Sequence, residues 1–209
     1  MSKRNLINNQ FDFCSSSFFY FCNFIKQKNL PEFKHINFDL ILDILTKTTV
    51  KDCIICTTRK LGITTASMFY ISYLICFTQK KSNFLISHFN EKYAKECILN
   101  SLETINKLFD NTLIFVNNTS NILVQNNITG INSKIIVKSK LNINLLKSQI
   151  EPFDYFIQDS INDLKDLDKW LELRTFIVSN TEKELIYSTI DFNNQTREII
   201  SKTHNIIQQ

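Results

Sequence analysis

Glycine and proline are scarce in this chain, with two of each in 209 residues, and tryptophan occurs once. That scarcity excludes collagen-like and Pro/Gly-rich low-complexity architectures. No stretch approaches the roughly 20 apolar residues that a membrane-spanning helix needs. The aromatic run at residues 18–24 is broken by Cys22 and Asn23, and the run at 68–77 contains Ser72. There is no block of like charge either: Lys and Arg are scattered among Asp and Glu, for a net charge of +4. Charge alone therefore gives no ground for nucleic-acid binding. Zinc-ligand spacing is also missing. Cys53 and Cys56 form a CxxC inside an apolar run, but no second Cys or His pair follows them, so packing is the better reading. The three histidines, His35, His88 and His204, stand outside any recognisable catalytic motif.

What the chain does contain is apolar material: 44% hydrophobic residues, including 18 phenylalanines, enough for one buried core. The abundance of Phe, Asn, Ile and Lys matches the usage of an AT-rich genome. The six cysteines lie in or beside apolar segments, where a thiol acts as a small hydrophobe, and a reduced cytosolic setting is expected. We expect an N-terminal extension over residues 1–35, with a short helix near 18–26, followed by one domain over 36–209. Periodicity predicts helices at 37–45, 64–77, 91–108 and 161–173. Strands are predicted at 50–56, 83–87, 113–116, 122–125, 135–138, 155–157 and 175–178, the middle three as a meander or hairpins. Strands alternating with helices predict an α/β fold with a mainly parallel sheet covered on both faces, of the P-loop NTPase-like kind.

The most informative stretch is Thr57-Thr58-Arg59-Lys60-Leu61-Gly62-Ile63-Thr64-Thr65, a polar loop between a predicted strand and helix. A phosphate-binding loop uses backbone N–H groups at a helix N-terminus, a Lys against the phosphate charge and a Ser/Thr hydroxyl for Mg²⁺. Thr58, Arg59, Gly62, Thr64 and Thr65 together resemble the loop of tailed-phage large terminases, with Ile63 where that family carries lysine. The aromatic-rich helix after the loop and the helix containing Tyr93 and Ala94 follow the same order. So do Tyr155-Phe156-Ile157 before Gln158-Asp159, and Phe176-Ile177-Val178 before Ser179-Asn180-Thr181.

The resemblance implies a DNA-packaging motor's ATPase domain using ATP and Mg²⁺, with Gly62 and Asp159 close together at one sheet edge. It implies nucleotide contact from Thr58, Arg59, Lys60, Gly62, Ile63, Thr64 and Thr65, and a metal site at Thr64 and Gln158. Asp159 is implied as a vestigial water-orienting acid, and Ser179, Asn180 and Thr181 as the coupling motif. Because Ile63 replaces the lysine and Gln158 the metal-binding Asp, the expected state is a copy degenerate in catalysis. Restoration would then need Ile63→Lys with Gln158→Asp. Arg59 or Lys60 could in principle supply the displaced cation. No adenine-contacting Gln is found, since Phe38 occupies its expected place, and no nuclease domain is expected to follow. Implied partners are the viral portal, other terminase subunits and double-stranded DNA, with no membrane, in the host cytoplasm at the procapsid. The alternative is a non-catalytic structural or binding subunit on the same fold, and a third reading is one piece of a split motor.

Overall fold

A computed structural model describes residues 10–28, 30, 52–57, 62–110, 112–139, 153–159, 167–179, 181, 183–189 and 206–208. The helix expected at 37–45 lies outside them. The elements are α1 (Phe18–Gln27), β1 (Asp52–Thr57), α2 (Ile63–Phe77), β2 (Asn83–His88), α3 (Glu91–Leu108) and β3 (Leu113–Asn117). They continue with β4 (Ile122–Asn126), β5 (Asn132–Lys138), β6 (Tyr155–Asp159), α4 (Leu167–Ser179), β7 (Lys183–Thr189) and β8 (Ile206–Gln208). The strands form one eight-stranded sheet in the order β3-β4-β5-β2-β6-β7-β1-β8. From β5 to β8 every pairing is parallel. The β3-β4-β5 end is the antiparallel meander that the short, turn-separated apolar runs predict.

Side chains alternate across a strand, and this sorts the core into two layers. Phe84 and Ile86 of β2, Ile135 and Val137 of β5, and Ile157 of β6 point to the face covered by α1, α2 and α3. Leu85, Ile136 and Phe156 point to the other face, where Leu173 and Phe176 of α4 pack with Phe153. α2 is apolar nearly all round because it is covered nearly all round: residues 66–69 and 71–76 are buried. Its buried polar contacts with α3 centre on Ser101, whose Oγ lies 2.7 Å from Ser72 Oγ and 3.3 Å from the Met68 carbonyl, so the hydroxyls are satisfied.

The N-terminal aromatic cluster belongs to this layer. Ser17 caps α1 by accepting the Tyr20 N–H, and Phe18, Phe21, Cys22 and Ile25 are buried. Phe21 and Phe11 meet Phe77, and Phe24 meets Phe109, so the rings gather at the C-terminal end of α2, away from Thr64. That end is also tied to the meander. Asn126, 1% exposed, donates from Nδ2 to the carbonyls of Ile75 and Cys76, while its Oδ1 accepts the N–H of Ile128. α3 starts at Asn90, which accepts the Tyr93 N–H, and buries Ala94, Ile98, Leu102 and Ile105 at helical spacing.

One element departs from expectation. Residues 175–178, read as a strand from Thr, Phe, Ile and Val, form the last turns of α4. The larger pattern wins over local β-propensity: Trp170, Leu173 and Phe176 recur every three residues and seat one helical stripe on the sheet. The strand that follows is β7, Lys183–Thr189.

Candidate nucleotide site

Parallel strands bring their carboxyl ends to one edge, which is where open α/β sheets bind ligands. Here that edge carries Thr57 of β1, His88 of β2, Asp159 of β6 and Thr189 of β7. From β1 the chain enters α2 through Gly62, whose φ of 74° is the left-handed region that glycine adopts without steric cost. Gly62 supplies no side-chain cap and no acidic residue sits in the first turn of this helix, a composition that suits an anion at its N-terminus. Thr64 and Thr65 are half-buried rather than covered. Ile63 packs against the apolar core. Thr58, Arg59 and Lys60 lie outside the described residues.

The helix that Gly62 opens meets Asp159 through its first turn. Thr64 Oγ1 donates to Asp159 Oδ2 at 2.5 Å, across 95 residues of sequence. Gln158 was expected beside Thr64, and here the reading needs correction. A strand sends neighbouring side chains to opposite faces, and Gln158 points into the α4 layer, where its Oε1 accepts from Trp170 Nε1 at 3.4 Å. It is 4% exposed there and remote from the loop's face of the sheet. The one-residue offset makes Asp159 the acid that meets the loop.

The expected coupling residues need the same correction. Ser179 ends α4, Asn180 lies outside the described residues, and Thr181 is buried ahead of β7. Ser179 and Thr181 therefore stand at the amino edge of the sheet, opposite Asp159. The strand ending in hydroxyl residues at the loop's edge is β7, which closes on Ser188 and Thr189, paired with Cys56 and Thr57.

His88 is a residue that motif reading passed over. It is the register partner of Asp159, is 3% exposed, and puts Nε2 3.8 Å from Asp159 Oδ2. Its only sequence signal was its place at the end of a predicted strand. Beyond it lies the Tyr93 hydroxyl, whose acidity is weakened first by the neighbouring Cys97 side chain, then by burial and by the charges of Cys97 and Asp159, with Thr65 acting the other way. Burial likewise raises the Cys97 thiol. Among the described residues no three His, Cys, Asp or Glu side chains gather as a metal cage. Mg²⁺ does not require one, since it is usually held by one or two carboxylates together with substrate phosphates.

A strand, a helix opening on Gly-x-Thr and an acid on a second parallel strand bonded to that threonine are the frame of a P-loop NTPase-like fold. Within that class the fold is that of large-terminase ATPase domains. No family model and no curated protein matches the chain. Among solved structures, the Thermus phage P74-26 large terminase ATPase domain superposes with a TM-score of 0.55 at 18% identity, over 73% of this chain and 64% of that one. The HK97 bacteriophage large terminase gives 0.56 at 12% identity, over 82% of this chain and 37% of that one. The large terminase of a thermophilic bacteriophage in complex with ADP gives 0.53 at 14%, over 80% and 43%. This chain thus spans less than half the length of the last two proteins, and at these identities the likeness is one of fold. No described helix is long and apolar enough to cross a membrane.

Proposed function

We propose that this chain is a terminase-like motor domain of a viral DNA-packaging machine that keeps a metal–nucleotide site but lacks the groups needed for efficient turnover. The observation that carries the reading is the Thr64–Asp159 bond. A hydroxyl in the first turn of a phosphate-binding helix, joined to a carboxylate on a neighbouring strand, is the protein's half of a Mg²⁺ site in this class of fold. Mg²⁺, when bound, supplies charge neutralisation to the phosphates. In this reading the opening amides of α2 hold the phosphates, Thr64 and Asp159 hold the metal, and Ser188 and Thr189 stand where a coupling segment would sense occupancy. Arg59 and Lys60 are the nearest cations in sequence.

Two groups are missing. Ile63 offers no charge, and Ser160, which follows the metal acid, has no carboxylate with which to orient water. Losing one preorganised electrostatic group costs about 100-fold to 1,000-fold in rate, so losing both leaves little turnover. The partners of this reading are the portal, other motor subunits and double-stranded DNA, at the procapsid in the host cytoplasm. The packing of Ile63 on the core favours one rival, a non-catalytic subunit that keeps the fold to contact those partners.

Titration of the full chain with a fluorescent ATP analogue, with and without Mg²⁺, tests the proposal. Binding is expected to need Mg²⁺ and to weaken about tenfold or more in Asp159→Asn and in Thr64→Val. ATP hydrolysis is expected to be undetectable with or without DNA. Ile63→Lys alone should tighten binding, because a lysine stem can keep the apolar contacts of Ile63 while its ammonium reaches the loop. Binding indifferent to Mg²⁺ and to Asp159→Asn would leave only the rival.

A further inference from the structure

His88 touches the site yet has no role in the reading above. Its two ring nitrogens face different groups, and that difference assigns their protons. Nδ1 lies 2.9 Å from the backbone nitrogen of Asn90 and accepts its N–H, so Nδ1 must present a lone pair. The proton of the neutral ring is then on Nε2, the nitrogen that faces Asp159 Oδ2 at 3.8 Å. A metal-ligating Nε2 would need the opposite tautomer, with Nδ1 donating to an acceptor. The Asn90 N–H forbids that arrangement, so His88 turns an N–H toward Asp159, at ion-pair and not hydrogen-bond distance, and is not a ligand.

The ring is also held in orientation. Phe89 stacks on it with centroids 4.5 Å apart, and Tyr93 lies 5.7 Å away on α3. Asn90 is the N-cap of α3, so the amide that fixes the tautomer is itself fixed by the start of a helix. Because His88 and Asp159 are register partners on adjacent parallel strands, the sheet holds their backbones side by side. Thr64 approaches the same carboxylate oxygen from α2.

We propose that His88 is a positioning residue for Asp159: its tautomer-locked Nε2–H, facing the carboxylate at 3.8 Å, orients it electrostatically toward the loop and so sets the affinity of the site for a divalent cation. This rests on the nucleotide-site reading for its consequence, but not for the His88–Asp159 contact itself. Losing an outer-shell partner of a metal ligand typically costs about 10-fold to 100-fold in metal affinity.

The test has two arms on the full chain. In the first, ¹⁵N-histidine NMR, with His88 assigned through His88→Gln, is expected to show Nδ1 unprotonated and Nε2 protonated. The Nε2 resonance should move in Asp159→Asn. An Nδ1–H tautomer, or an Nε2 signal blind to Asp159→Asn, overturns the proposal. In the second arm, fluorescent ATP-analogue binding is followed across Mg²⁺ concentrations. His88→Phe, which keeps a ring between Phe89 and Tyr93, should raise the Mg²⁺ needed for half-saturation about tenfold. Its affinity without Mg²⁺ and its unfolding midpoint should stay near wild type. His88→Gln, which restores an amide donor, should recover most of the Mg²⁺ response. Equal Mg²⁺ responses in wild type and His88→Phe, or an equal loss with and without Mg²⁺, overturns the positioning role. If wild type itself shows no Mg²⁺-dependent binding, the nucleotide reading fails, and the NMR arm alone then decides whether His88 turns its N–H toward Asp159.

Discussion

Burial raises the thiol of Cys14 to about 11, and it raises those of Cys22 and Cys76 further, with the nearby Cys14 adding to both. Tyr73 in the same layer is raised to about 12, again by burial first. In the unfolded chain a thiol ionises near 8.5. Between that value and the folded one, the unfolded state has lost the proton and the native state has kept it, so unfolding becomes easier as pH rises. The stability these thiols contribute is intact below about pH 8 and is lost as pH rises, for Cys14 up to about 11 and for Cys22 and Cys76 beyond it, with a limiting slope of roughly 1.4 kcal/mol per pH unit for each. Urea unfolding at pH 7, 8, 9 and 10 should therefore show a midpoint that falls increasingly steeply above pH 8.5. A flat profile to pH 10 would mean that these cysteines are solvated in the native protein.

Elements differ in how far local sequence governs them. α3 is legible to the residue, because Asn90 caps it and its apolar stripe is regular over 18 residues. The end of α4 is not, since Thr175, Phe176, Ile177 and Val178 favour a strand locally and only the sheet beneath Trp170 and Leu173 makes them helical. β6 is a third case. Its existence could be read, but which face of it meets the loop could not, because that depends on which side α2 packs. Motif carry-over thus placed the metal position at Gln158, while the alternation of Tyr155, Ile157 and Asp159 puts the acid one residue later, facing Thr64. It follows that Gln158→Asp is a destabilising change and not a repair. It would leave a carboxylate on the buried α4 face and draw the acceptor one methylene back from Trp170 Nε1, whose bond to Gln158 is already 3.4 Å long. The expected cost is about 1–3 kcal/mol in chemical unfolding, with no gain in Mg²⁺ response. A Gln158→Asp protein of wild-type stability and tighter metal binding would restore the original assignment.

At the scale of the molecule, alternation of strands and helices gave the class of fold, but the strand order could not be read, since β7 inserts between β6 and β1 only after a long excursion of chain. That order matters because it leaves the candidate site on strands paired at both edges. β2 lies between β5 and β6, and β6 between β2 and β7, and Phe84, Leu85, Ile86 and Phe156 are fully buried. β3 is an edge strand, and Ile114 and Val116 on it are more than half exposed. Opening free energies should follow the same gradient, because local unfolding is easiest where few buried contacts and few doubly paired strands must be broken. Native-state amide exchange is therefore expected to be slowest in β2 and β6 and faster in β3 by about tenfold or more. Adding nucleotide with Mg²⁺ should slow exchange at the start of α2, at the ends of β2 and β6 and at Asn90, while leaving the meander unchanged. If protection instead appeared across residues 113–126, or if β3 exchanged as slowly as β2, the ligand edge and the rigid part of the sheet would have been assigned to the wrong end of the molecule.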